Sequence, residues 1–434
     1  MADDPRVVLS SVQTSSVQNL VTVLDMLRLG RASTRSQLVR YSGLGRTVVS
    51  QQLNRLVEVG LVGDGPAAES TGGRAPRSVR FRAETGVLLA AQLGATSLAA
   101  AVTDLALNPF ARFEQPFDIA DGPQKALDQV TEVFEALIVQ SAVPRSSLWG
   151  IGVGVPGPVE FSTGRSISPP IMPGWDAYPI RKHLTERFGL PVWVDNDVNV
   201  MALGELYSGR ARGVRDFVYI KIGTGIGAGI VCDGRIYRGS QGCAGDVGHV
   251  AVIGDSDVVC RCGNRGCLEA LAGGAALARD GTAAAVSGQS PVLASVLREG
   301  RAVTAEELVK AAQRGDAVSL DLLLSCGRRV GDLLATVVNF YNPELILIGG
   351  GVSNAGNLLL AAIRENVYRR SLPLATRELQ IDLSGLGEEA GLRGAAAMVT
   401  EELFAPSLIM DWLDQGTPVG LATTLVGANG GHRP

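Results

Sequence analysis

The feature that most restricts the fold of this chain is a pair of strands joined by a short glycine and threonine turn, which occurs twice. In the first copy, Leu93-Gly94-Ala95-Thr96 follows an apolar strand over 87–92 and leads into a strand ending at Asp104. In the second, Ile222-Gly223-Thr224-Gly225 follows the strand 217–222 and leads into one ending at Asp233. Either turn alone fits an ordinary hairpin, but the matched pair predicts two lobes of similar construction.

These turns also suit phosphate. Glycine lets backbone N–H groups approach phosphate oxygens, and threonine adds a hydroxyl donor. The repeat is typical of actin-like (RNase H-like), two-lobed ATPases, so the predicted fold class of the body is α/β. A buried strand ending in Gly349-Gly350-Gly351 fits the turn below an adenosine equally well as a tight strand–helix connection. The candidate nucleotide residues are Gln92, Gly94, Thr96, Gly223, Thr224, Gly225, Gly350 and Gly351.

Charge separates the first part of the chain from the rest. Residues 1–82 carry eleven Arg, no Lys and six acidic side chains, a net charge of +5, whereas the whole chain has −4. A small basic module on an acidic body is typical of a nucleic-acid-binding head, although a solvated charge imbalance is common.

Apolar spacing predicts three helices in this basic part. Leu20, Leu24 and Leu27 define the first, and the capping-box spacing of Thr34 and Gln37 begins the second. The third extends over about 47–59. Its predicted buried stripe consists of Val49, Leu53, Leu56 and Val57.

The opposite face of the third helix carries short polar and basic side chains that suit a DNA major groove. The glycines before Arg74, followed by the alternating 79–82, predict a wing whose arginines meet phosphate or a minor groove. The pattern therefore predicts a winged helix-turn-helix, with a small protein-interaction module as the alternative. The candidate DNA contacts are Arg46, Thr47, Ser50, Gln51, Asn54, Arg55, Arg74 and Arg77.

Four residues of metal-binding type stand close together in the second half. His249 is followed by Cys260, Cys262 and Cys267, with turn glycines between the thiols. Singly, such residues are more often ordinary core or surface positions. Together, three thiols and one imidazole complete a tetrahedral set, which predicts a structural rather than a catalytic Zn²⁺.

Around this set the sequence closely resembles the ROK family (repressors, open reading frames and sugar kinases), including its xylose- and N-acetylglucosamine-type repressors. The resemblance covers nearly all of residues 15–404. It rests on Gly245-Asp246-Val247-Gly248-His249, Cys260-Arg261-Cys262-Gly263-Asn264-Arg265-Gly266-Cys267-Leu268-Glu269, Gly152-Val153-Gly154-Val155-Pro156-Gly157-Pro158, Asp195-Asn196-Asp197-Val198-Asn199 and Asn342-Pro343-Glu344 with the glycines after Ile348.

The resemblance implies a sugar site. In similar proteins the Asn-Asp pair, here Asn196 and Asp197, binds sugar hydroxyls, and its Asp deprotonates the attacking hydroxyl. From the residues alone, Asp197 also suits a helix N-cap. The family usually has Glu where this chain has Asp246, which affects ligand preference. The implied sugar-binding residues are Gly157, Asn196, Asp197, Asp246, His249 and Glu269.

The first phosphate hairpin departs from the kinases of the family, which have Asp-x-Gly-Gly-Thr there. Gln92 offers no anionic oxygen to Mg²⁺, and Ala95 adds a methyl group where backbone must approach phosphate. Phosphoryl transfer depends on positioning and charge neutralisation. No catalytic residue is therefore expected, Asp197 is interpreted as a vestigial base, and ATP and Mg²⁺ are not expected as cofactors.

Together these patterns predict a cytoplasmic, sugar-responsive transcription regulator, a repressor of carbohydrate-utilisation genes that joins the nucleoid when bound to DNA. Its expected partners are double-stranded operator DNA, a small sugar or sugar derivative, and further copies in a homodimer or homotetramer. No membrane segment is predicted. The alternatives are a bifunctional ATP-dependent sugar kinase with a DNA-binding head, and a regulator that answers to a protein partner.

The expected domains are a winged helix-turn-helix over 1–84 and a sensor over 85–404. Within the sensor, the first lobe takes about 85–205 with a C-terminal helix over 388–404, and the second takes about 206–387. Residues 405–434 are predicted to be a mostly flexible tail with a docking segment at Leu408-Ile409-Met410 and Trp412.

Overall fold

A computed structural model describes residues 11–66, 78–254 and 256–422. The helices are α1 (Ser11–Arg28), α2 (Arg35–Ser42), α3 (Arg46–Glu58), α4 (Pro123–Ser141), α5 (Ile180–Phe188), α6 (Asp197–Ser208), α7 (Leu268–Ala272), α8 (Gly274–Val286), α9 (Pro291–Arg298), α10 (Ala305–Gln313), α11 (Ala317–Tyr341), α12 (Asn357–Arg370), α13 (Pro373–Thr376), α14 (Glu389–Leu403) and α15 (Ile409–Trp412). Within the described ranges, no helix combines the length and apolar character needed to cross a membrane.

The strands pair into two small and two five-stranded sheets. They are β1 (Val62–Asp64), β2 (Val79–Phe81), β3 (Val87–Leu93), β4 (Ser97–Asp104), β5 (Pro109–Pro116), β6 (Leu148–Val155), β7 (Val159–Glu160), β8 (Arg165–Ser166), β9 (Val192–Asn196), β10 (Phe217–Ile222), β11 (Ile226–Cys232), β12 (Arg235–Ile236), β13 (Leu345–Gly349) and β14 (Gln380–Leu383). The large sheets have the orders β5-β4-β3-β6-β9 and β12-β11-β10-β13-β14.

The two large sheets have the same plan. Each contains an antiparallel hairpin, β3–β4 or β10–β11, at the two turns that the sequence singled out. The first strand of each hairpin then pairs in parallel with a later strand, β6 or β13, which in turn pairs in parallel with β9 or β14. The predicted repeat is therefore a repeat of topology in a mixed α/β fold.

Residues 11–66 and 78–82, called the head below, contain three helices and the antiparallel pair β1–β2. The predicted capping box is present: the Thr34 hydroxyl accepts from the Gln37 N–H at 3.2 Å, and the Gln37 side chain accepts from the Thr34 N–H at 3.1 Å. One predicted core position is wrong. Val57 is 47% exposed, whereas Gln52 is buried, because Gln52 lies on the helix face that turns toward α1, where its amide approaches Ser16.

The flexible tail predicted over 405–434 is wrong for residues 405–422. Leu408, Ile409, Trp412 and Leu413 are fully buried and belong to the same apolar cluster as the core of the head. The Trp412 ring contacts that of Trp149, with 5.3 Å between centroids, and its indole N–H donates to the Leu403 carbonyl at 2.9 Å. The segment is ordered because it covers apolar surface that α1 and α14 leave open. Residues 423–434 lie outside the described part.

Helices α6 and α14 pack unusually close. A Cβ atom on Gly394 would overlap the Val200 carbonyl, and one on Gly204 would overlap the Ala390 carbonyl. Both glycines thus allow backbone to touch backbone, which larger residues would prevent. The two helices form one block whose α6 end begins at the C-terminal edge of β9.

Candidate ligand cleft and metal centre

A cavity of about 130 Å³ is lined by residues of both large sheets. It brings together all six residues implied to bind a sugar: Gly157, Asn196, Asp197, Asp246, His249 and Glu269. From the two hairpins, Ala95, Thr224 and Gly225 reach the same cavity. The sequence did not single out Lys221 or the exposed Cys243, which also line it.

The N-terminus of α6 forms one wall of the cavity. Asn196, rather than Asp197, is the N-cap: its side-chain oxygen accepts from the N–H of Val198 at 2.9 Å. Its amide nitrogen donates to the Gly157 carbonyl at 2.9 Å. The alternative that Asp197 serves as the cap is therefore wrong, and its carboxylate is left to face the cavity.

Asp197 forms an ion pair with Lys221, whose Nζ donates to Asp197 Oδ2. The Asp197 side chain is 4% exposed, so little water reaches this pair. A proton-accepting carboxylate must be within reach of a substrate hydroxyl, and here an ammonium group already occupies it. The signal in the sequence was a single charged residue in the otherwise apolar strand Phe217–Ile222.

Lys221 and Gln92 occupy matching positions, each two residues before the glycine of its hairpin, but they point to different places. Gln92 is buried and does not line the cavity. Its amide lies over Gly154 and Gly391, where an added Cβ would stand 2.5 and 2.6 Å from Gln92 Oε1. Among the described residues, neither polar atom of the Gln92 side chain has a hydrogen-bond partner.

The turns of the two hairpins are closed in similar ways. Gly94 N–H donates to the Ser97 carbonyl at 2.7 Å, and Gly223 N–H donates to the Gly225 carbonyl at 2.9 Å. In the first, Thr96 is exposed. The second is supported from behind by the start of α8, since the Gly274 N–H donates to the Gly223 carbonyl at 2.7 Å.

The remaining predicted nucleotide residues lie behind the second hairpin. Gly350 has a φ of +85° and approaches the backbone of Ile222 too closely for any Cβ. Gly351 begins the short helical turn that follows. This strand end therefore contacts the second hairpin, as the repeat suggests, although neither glycine lines the cavity.

The His249, Cys260, Cys262 and Cys267 side chains converge, with one potential ligand atom of each lying within 4.8 Å of the others. The Cys262 and Cys267 sulfurs are 3.8 Å apart, and Cys260 Sγ is 3.4 Å from His249 Nδ1. Sulfur ligands about 2.3 Å from a tetrahedral centre are roughly 3.8 Å apart, so the set fits a metal ion. Burial raises the pKa of the Cys267 thiol to about 12, and a cation would be needed to keep it ionised.

The metal set is connected directly to the cavity. His249 turns Nδ1 toward Cys260, and its Nε2 is 3.8 Å from Asp246 Oδ1. A carboxylate behind a metal-binding imidazole orients the ring. Glu269 follows two residues after Cys267, and its carboxylate accepts from the Ile226 N–H at 3.1 Å across Gly225, where a Cβ would overlap it.

The candidate DNA contacts lie on the outer face of α3. Arg46, Thr47, Gln51 and Asn54 are exposed, while Ser50 and Arg55 are partly exposed. Arg55 Nη2 forms an ion pair with Asp414 Oδ1 at 2.7 Å, which links α3 to the segment after α15. Arg74 and Arg77 lie outside the described residues.

Comparisons with known proteins agree with this geometry. A family model described as the ROK family matches residues 88–402. A glucokinase from Halalkalibacterium halodurans is 33% identical over 71% of this chain and 94% of its own length. A xylose repressor from Caldicellulosiruptor bescii is 29% identical over 91% of this chain and 97% of its own.

A solved structure resembles the chain over a similar extent. It is a ROK family transcriptional regulator described as a homologue of the E. coli MLC protein. The TM-score is 0.79 at 26% identity, over 92% of this chain and 100% of the other. The regulator and the repressor thus match more of this chain than the glucokinase does.

Proposed function

The chain belongs to the ROK family, and from that premise we propose that it is a sugar-responsive, DNA-binding transcription repressor whose kinase-like body does not phosphorylate the sugar. The observation that carries this proposal is the contrast within one cavity. All six sugar residues line it, whereas Gln92 is turned away from it and Lys221 occupies the base Asp197.

The head supports the DNA-binding half of the proposal. Its three helices and the pair β1–β2 fit a winged helix-turn-helix, with α3 as the recognition helix and residues 65–78 as the wing. The ROK family model begins at residue 88, after the head. The xylose repressor matches 91% of the chain and the glucokinase only 71%, so the repressors account for it better.

We further propose that the metal is Zn²⁺ with a structural role. Three thiolates and one imidazole suit Zn²⁺ and leave no open position for a reacting molecule. His249, Cys260, Cys262 and Cys267 would hold it. When bound, the ion supplies cross-linking of the loop. The residues themselves then orient Asp246 and Glu269 toward a sugar.

The remaining assignments extend the same proposal. We take residues 1–84 as the DNA-binding domain and 85–404 as the sensor, since β2 ends at Phe81 and β3 begins at Val87. A homodimer or homotetramer would read a palindromic operator with two heads, in the cytoplasm and on the nucleoid. The bound sugar would close the cleft and alter the spacing of the heads.

The test of DNA binding uses the full chain and DNA from upstream of its own coding region, with affinity measured by fluorescence anisotropy at fixed salt. Gln51→Ala removes one predicted base contact on α3. It is expected to weaken specific binding by about 1–3 kcal/mol, or roughly 5–150-fold. Gln124→Ala, an equally exposed helical glutamine on α4, is the control and is expected to bind as the native chain does. Equal affinities for both variants would contradict the assignment of α3.

The second candidate function is an active sugar kinase with an added head, which the 33% identity to a glucokinase favours. A coupled assay with ATP and D-glucose, D-xylose or N-acetyl-D-glucosamine separates the two. Sugar-dependent turnover above about 1 s⁻¹, the low end for ordinary enzymes, would establish the kinase. Turnover at background together with calorimetric binding of a sugar supports the sensor.

A further inference from the structure

Glu401, near the C-terminal end of α14, stands between the head and the loop that lines the cavity. The loop, residues 237–246, follows β12 and contributes Asp246 and its neighbours to the cavity wall. Helix α14 packs along α6, which begins at the cavity. Glu401 therefore lies where movement of the loop could reach the head.

On the side of the cavity, Arg238 ties the loop to the first large sheet. Its Nε donates to Asp195 Oδ2 at 2.7 Å, and its guanidinium lies 3.8 Å from the Phe161 ring centroid. The other Asp195 oxygen accepts from the backbone N–H of Asn196 at 2.7 Å and from the Asn199 amide at 3.0 Å. Arg238 is thus bound directly beside the Asn196 cap.

On the side of the head, Glu401 contacts the residue that holds α1. The Tyr207 hydroxyl donates to Glu401 Oε1 at 2.5 Å. Arg28 of α1 lies over the Tyr207 ring, with its Cζ 5.4 Å from the centroid, and donates to the Thr400 hydroxyl at 3.3 Å. The Arg28 side chain is 6% exposed and also pairs with Asp25 at 3.0 Å.

The charge of Glu401 feels both arginines. Burial raises the pKa of Glu401, whereas the Tyr207 hydrogen bond and the charges of Arg238 and Arg28 lower it. The interaction with Arg238 is electrostatic, without a direct hydrogen bond, and is strong because the site is poor in water. A shift of either arginine therefore changes how the carboxylate is held.

We propose that Glu401 is the positioning residue that couples the sugar cavity to the DNA-binding head, by sharing its carboxylate between Arg238 of the cavity loop and the Tyr207–Arg28 contact on α1. This rests on the proposed function. A sugar that contacts Asp246 pulls on the loop that begins beside Arg238. The displaced arginine releases or tightens Glu401, and Arg28 transmits the change to α1.

The rigid block of α6 and α14 makes this route effective. Because glycines bring the two backbones into contact, the block moves as a unit and absorbs little of the displacement. The contacts at Glu401 connect the block to the cavity loop on one side and to α1 on the other. A two-state arrangement of charges at that point can bias the head without any bending of α14.

The test uses the full chain carrying Glu401→Gln, which keeps the shape and removes the charge. Calorimetry with D-glucose and D-xylose identifies a sugar that binds, and anisotropy measures the operator Kd with and without it. In the native chain the sugar is expected to change the operator Kd about 5–150-fold. In the variant, both single affinities are expected to stay within about threefold, while the effect of the sugar falls below about threefold.

Two further variants secure the interpretation. Glu388→Gln, the same change at an exposed residue before α14, is expected to keep the native response. Tyr207→Phe removes only the hydroxyl that reaches Glu401 and is expected to lose part of the response. A native-size response in both Glu401→Gln and Tyr207→Phe would overturn the inference and leave the proposed function standing. A native chain whose operator affinity ignores a sugar that it binds would overturn the proposed function and this inference with it.

Discussion

The two hairpins, β3–β4 and β10–β11, share their strand pairing and their turn closure, but they differ in the residue two positions before the turn glycine. In the first hairpin that residue is Gln92, buried against Gly154 and Gly391. In the second it is Lys221, which reaches the cavity and pairs with Asp197. The same backbone thus places one side chain in the interior of the first sheet and the other in the ligand site.

The difference shows how a two-lobed scaffold can lose one half of its chemistry and keep the other. The sugar residues are fixed by the metal loop and the α6 cap, neither of which depends on Gln92 or Ala95. The nucleotide side therefore can change without disturbing the sugar side. Lys221 adds a step of its own, because it turns a base into half of an ion pair.

The largest expected effect concerns what holds the intact side in place. Cys262→Ser removes one metal ligand and is expected to abolish stoichiometric zinc and weaken sugar binding more than about 100-fold, since outer-shell changes alone cost 10–100-fold. Elemental analysis and calorimetry measure both. Cys232→Ser, at an exposed cysteine outside the set, is the control. Native sugar affinity in a zinc-free Cys262→Ser chain would break the contrast between the two halves.

The next effect tests the ion pair. Lys221→Met leaves the Asp197 carboxylate buried without its partner and is expected to lower the free energy of unfolding by about 2 kcal/mol, below the 3–5 kcal/mol of a fully buried pair because Lys221 is partly exposed. Urea unfolding followed by tryptophan fluorescence measures it. Unchanged stability would mean that Lys221 and Asp197 are not paired in solution.

A smaller gain is expected from rebuilding the eroded side. Gln92→Asp, Ala95→Gly and Lys221→Met together restore a metal-side carboxylate, a close backbone approach and a free base. Sugar-dependent ADP release is expected to rise at least about tenfold over the native background, equivalent to about 1.4 kcal/mol of barrier. The chain with Lys221→Met alone is the control. Native turnover that already equals the triple variant would show that the first hairpin never lost its function.

The smallest effect has the opposite sign to the second. Gln92→Met keeps the volume and removes two buried polar atoms that lack partners among the described residues, so stability is expected to rise by about 1 kcal/mol. The same urea experiment measures it, with Lys221→Met as the matched change at the equivalent position. A loss of stability would indicate that the amide is hydrogen-bonded, for instance to a buried water.

Local patterns were predictable from the sequence because their physics is local. The capping box at Thr34, the two hairpins and the convergence of His249 with three cysteines each depend on residues close in the chain or on one compact motif. The six sugar residues were found through a resemblance, and the cavity brings them together. Spacing along the chain does not show which turn residue faces the cavity, so Gln92 was placed there incorrectly.

The features that were missed connect distant segments. Lys221 pairs with Asp197 across two sheets, and Arg55 pairs with Asp414 from the opposite end of the chain. The tail was predicted to be flexible because its glycine- and threonine-rich end outweighed a short apolar run. Trp412 is ordered through contacts that only the assembled head and α14 provide. No periodicity within the segment carries that information.

The burial of Trp412 and Leu413 beside α1 has a consequence for synthesis of the protein. A ribosome makes α1, α2 and α3 first and these two residues some 350 positions later. At 5–20 residues per second, the interval is on the order of tens of seconds. Through that time the core of the head lacks a part of its cover, so a chain broken off before α15 has an unfinished head. Full packing around α1 thus marks a chain that has been translated through residue 413.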